Sequence, residues 1–66
     1  MAQYKIEATS VKASNTTVSG TSSEFPTPAT FADQAAADAN ALAYATDLNH
    51  DDYQGAWDWV GKATAV

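Results

Sequence analysis

Apolar and polar positions alternate near the start of the chain. Tyr4, Ile6 and Ala8 are interleaved with Lys5, Glu7 and Thr9. A period of two puts one set on a single face of a half-buried strand, so the pattern predicts a strand over Tyr4–Val11. A second run rich in Thr, Ser and Val, Thr16 to Phe25, follows Ala13-Ser14-Asn15. Asn15 tolerates a left-handed backbone, which predicts a hairpin closing near Ser14-Asn15. The register stays open. If positions 14 and 15 face each other, Tyr4 lies opposite Phe25 and Val11 opposite Val18, with the two pairs on opposite sheet faces. A shift of one residue moves Val18 onto the Tyr4 face and takes Phe25 off it. A bulge at Gly20 would let both point inward. The competing reading is a linker, because 11 of the 22 residues from Thr9 to Thr30 are Ser or Thr. The strand spacing of the interleaved Val and Phe residues favours the hairpin.

Pro26 and Pro28 cannot donate to a ladder, so Phe25-Pro26-Thr27-Pro28 should end the hairpin. A helix follows. Either Thr27 caps it with Pro28 in the first turn, or Thr30 caps it with Asp33 three residues on. Between Phe31 and Leu48, eight residues are alanine, the strongest helix former. At about 100° per residue, Phe31, Ala35, Ala39, Leu42 and Ala45 share a stripe, with Asp33, Asn40 and Asp47 opposite. That stripe is the expected buried face, and Asp38 is expected at its solvent-reaching rim.

The tail, Tyr53 to Val66, reads as a strand with Trp57, Trp59, Gly61 and Ala63 on one face. A helix would instead align Tyr53, Trp57 and Val60. Gly55 and Gly61 disfavour the helix, and aromatic and β-branched residues favour the strand. A two-stranded hairpin is also marginal alone and needs a third strand. The expected fold is therefore a small α+β domain of ββαβ order over residues 1–66. It has an N-terminal β-hairpin, one Ala-rich amphipathic helix packed on a three-stranded sheet, and a C-terminal Trp-bearing strand.

Composition narrows the function. At 66 residues the chain is one small domain, with a correspondingly small core. Three lysines, no arginine and a net charge of −5 argue against direct nucleic-acid binding. With no cysteine and only His50, disulfides and Cys/His zinc sites are excluded. No apolar run is long enough to span a bilayer and no signal peptide is read, so the expected location is cytoplasmic, with no membrane partner. Asn15-Thr16-Thr17 matches a glycosylation sequon, which carries weight only in a secreted chain.

The densest polar cluster is Asp47-Leu48-Asn49-His50-Asp51-Asp52. Asp47, Asn49 and Asp51 have one-three-five spacing, and Asp58 stands at position twelve. The segment resembles a calcium loop of the EF-hand or dockerin kind. It departs from that pattern at Asp52, where the loop needs glycine, and at Gln54, where it usually has an aliphatic. Asp47, Asn49, Asp51 and Asp58 are thus the candidate Ca2+ ligands. The alternative is a solvated helix end terminated at Asn49, although acids there oppose the helix dipole. His50 beside Asp51 and Asp52 has the chemistry of a general base, but no nucleophile is spaced to go with it. It reads as a surface histidine.

Tyr53, Trp57 and Trp59 form the aromatic candidate set, either as core or as a contact surface. No catalytic constellation emerges, and no cofactor is expected beyond the possible Ca2+. The expected function is that of a small acidic, non-enzymatic protein-interaction module. It would be an accessory or inhibitor of the kind encoded by phages and mobile elements, acting as a monomer or small homo-oligomer on a protein with a basic surface. The candidate contact residues are Asp33, Asp47, Asp51, Asp52, Tyr53, Trp57 and Trp59. The alternative is a small-ligand or calcium-binding module centred on Asp47–Asp58.

Overall fold

The computed structural model describes residues 2–20, 22, 24, 25 and 27–66. Its elements are β1 (Ala2–Ser10), β2 (Thr16–Ser19), β3 (Ala29–Phe31), α1 (Gln34–His50) and β4 (Val60–Ala65), with a tight turn over Tyr53–Gly55 before β4. The α+β reading and the order hairpin, helix, strand hold. β3 is an addition to the expected three strands. It occupies residues read as the start of the helix.

β1 is the spine of the sheet, and all three of its partners are antiparallel. Tyr4 pairs with both Ala29 and Ala65, and Ala8 with both Val18 and Gly61. β4 therefore runs along one edge of β1, while β2 and β3 share the other edge end to end. The handover between them falls at Ile6. Its carbonyl accepts from the Gly20 N–H at 3.4 Å, and its N–H donates to the Thr27 hydroxyl at 2.8 Å. A side-chain hydroxyl thus fills the ladder position left between the two short strands.

The hairpin closes as the sequence predicts, with Ser14 and Asn15 at φ of 60° and 57°. The register differs from both versions considered. Ala8 faces Val18 and Ser10 faces Thr16, which puts Val18 on the Tyr4 face. β2 ends at Ser19, and Phe25 is buried from the following loop, its ring 5.4 Å from that of Tyr44. Both aromatic and valine therefore reach the core because the chain leaves the sheet, with no bulge inside a continuous strand. Pro26, part of the expected stop, lies outside the described residues.

α1 starts later than either expected cap. Asp33 is the N-cap, and its carboxylate accepts from the Ala36 N–H at 2.9 Å. The buried face is Ala37, Ala41 and Ala45, with Tyr44 and Leu48 partly buried beside it. The stripe expected to be buried is mostly on the solvent side. Ala35, Ala39 and Leu42 are exposed, Leu42 at 67%, whereas Ala45 is buried and Phe31, in β3 ahead of the helix, packs half-buried on the core.

The physical reason is that alanines occupy both faces of this helix. Apolar periodicity then cannot say which face turns inward. The sheet decides it. A Cβ on Gly61 would lie 2.1 Å from the Ala41 carbonyl oxygen, so the backbones of α1 and β4 meet almost directly there. Only an alanine face fits so close an approach.

The core is built of Tyr4, Ile6, Ala37, Ala41 and Ala63 at one end and Ala8, Ala45, Ala56 and Trp59 at the other. Tyr44 packs against both, and Phe31 sets its ring edge-on to Tyr4. Helix α1 covers one face of the sheet. On the other face Lys5, Thr9, Thr17, Val60 and Lys62 are exposed.

Candidate functional site

The acidic segment after α1 is shaped by how the helix ends. Asp51 is the C-cap, its N–H donating to the carbonyls of Asp47 and Asn49. Asp52 then takes a left-handed conformation at φ 48° and reverses the chain. The terminating residue is thus Asp52, where Asn49 had been expected. Gln54 and Gly55 also have positive φ, so the turn from Asp52 to Gly55 is tightly folded.

The four candidate calcium ligands are not brought together. Asn49 points back toward β4 and bonds the backbone of Trp59, accepting from its N–H at 2.7 Å and donating to its carbonyl at 3.0 Å. Asp58 is committed to the hairpin turn. One oxygen accepts from the Ser10 hydroxyl and the other from the Lys12 N–H at 3.2 Å. Asp47 and Asp51 stand exposed at the helix end, Asp51 within 3.4 Å of the exposed His50 ring. Among the described residues no three His, Cys, Asp or Glu side chains are grouped to hold a metal ion. The spacing that resembles a calcium loop is therefore occupied by two structural ties, one at each end of the segment.

Those ties explain the Asp58 carboxyl, which is held below the usual carboxylate range. The Ser10 hydroxyl is the largest cause, opposed by desolvation and aided by the Lys12 N–H. Ser10 is fully buried and also accepts from the Ala13 N–H at 3.1 Å, so the hairpin turn and the approach to β4 form one hydrogen-bonded unit.

The aromatic set divides. Trp59 is 3% exposed, packs on Tyr53 with ring centroids 5.7 Å apart, and donates its indole N–H to the Tyr53 carbonyl at 3.1 Å. Trp57 is 60% exposed at the hairpin end, with the Lys12 ammonium 4.9 Å from its ring centroid. The two tryptophans do not share a sheet face, because β4 begins only at Val60. Tyr44, which packs from α1 onto the core, has its phenol pushed up by burial and, secondarily, by Tyr53.

Acidic side chains gather along the helix side of the molecule, while the open sheet face carries Glu7 together with lysines. Asp33, Asp38, Asp47, Asp51 and Asp52 are exposed along α1 and the turn that follows. Lys5 and Lys62 project from the open sheet face, and Lys12 lies in the hairpin turn. Between Asp38 and Asp47 runs the exposed strip of Ala35, Ala39, Leu42, Ala43 and Thr46. Sequence reasoning missed Leu42 as a surface residue because it assigned the apolar stripe to the core. Asp33 belongs to the acidic side, but its carboxylate is also engaged as the helix cap.

No family model matches the chain, and comparison with the curated proteins and with the solved structures gives no match. Among the described residues no helix is long and apolar enough to cross a membrane.

Proposed function

We propose that this chain is a small, non-enzymatic protein-interaction module that meets a basic protein surface through α1 and the turn after it. The observation that carries the reading is the exposed strip centred on Leu42, set between Asp38 and Asp47 and continued by Asp51 and Asp52. An apolar centre with a charged rim is the layout of protein contact surfaces. Carboxylates of one sign act mainly on encounter rate and partner choice. The acids at the helix C-terminus support the same reading. They oppose the helix dipole there, an arrangement that fold stability alone disfavours. An accessory or inhibitory role toward a host protein fits this chemistry.

The test is to recover a partner from a cell lysate and measure its association with the wild type and with the triple variant Asp47→Asn, Asp51→Asn, Asp52→Asn. Slower association and a flatter salt dependence in the variant support the reading. Unchanged kinetics would place the contact elsewhere.

A further inference from the structure

We draw no further inference here: the strongest candidate, the surface patch that the exposed Trp57 ring forms with Lys12 at the hairpin end, carries nothing because nothing in the structure shows what covers it.

Discussion

The side-chain amide of Asn49 stands in for a strand beside Trp59. It accepts from the Trp59 N–H at 2.7 Å and donates to the Trp59 carbonyl at 3.0 Å, the two bonds a neighbouring peptide would make. The last turn of α1 is thereby fastened to the entry of β4. Removing the amide leaves both backbone groups without their partner. Asn49→Ala should cost about 2 kcal/mol, because unpaired part-buried polar groups carry their desolvation penalty. Urea denaturation of the two proteins measures it, and a loss under about 0.5 kcal/mol would mean water replaces the amide fully.

Gly61 should tolerate no side chain. A Cβ there would meet the Ala41 carbonyl oxygen at 2.1 Å and its carbon at 2.6 Å, both of them helix backbone. Gly61→Ala must push α1 off the sheet, so a loss of about 3 kcal/mol is expected, at the upper end for overpacking. In a domain with only a few kcal/mol to spare, thermal melting should show a large drop or no cooperative transition.

Leu42 and Ile6 should behave oppositely under the same truncation. Leu42 is 67% exposed and Ile6 is fully buried. Leu42→Ala should change stability by less than about 0.5 kcal/mol. Ile6→Ala should cost about 3 kcal/mol through lost burial and the cavity left behind. Equal losses on chemical denaturation would return Leu42 to the core, where the apolar pattern alone places it.

Asp58 should contribute to the acid limb of stability. Its folded carboxyl is held below the ordinary value of 3.8, chiefly by the Ser10 hydroxyl. The folded state therefore binds fewer protons than the unfolded state between the two values. The stabilisation is complete above the unfolded value and is lost as pH falls through the lower folded value. Asp58→Asn should flatten the fall in melting temperature in acid. An unchanged acid limb would show that the tie to the hairpin turn is not maintained in solution.

What the sequence determined by itself is local. Alternation of Tyr4, Ile6 and Ala8 specified β1 and its buried face, because a strand's side-chain period is a property of the backbone. Asn15 specified the hairpin turn through its tolerance of positive φ. The alanine run specified a helix, through a propensity that needs no partner.

The tertiary structure decided whatever depended on two distant segments meeting. With alanine on both sides of α1, burial energy hardly separates one face from the other. The close approach at Gly61 therefore chose Ala37, Ala41 and Ala45 over Ala35, Ala39 and Leu42. The same holds for the polar cluster. Asn49 and Asp58 have the spacing of ligands in the sequence. Their hydrogen-bond capacity is spent on Trp59, Ser10 and Lys12, which come within reach only when β4 lies beside β1. The division of Trp57 from Trp59 has the same origin. The chain turns into β4 just after them, and only the second ring falls under the helix end.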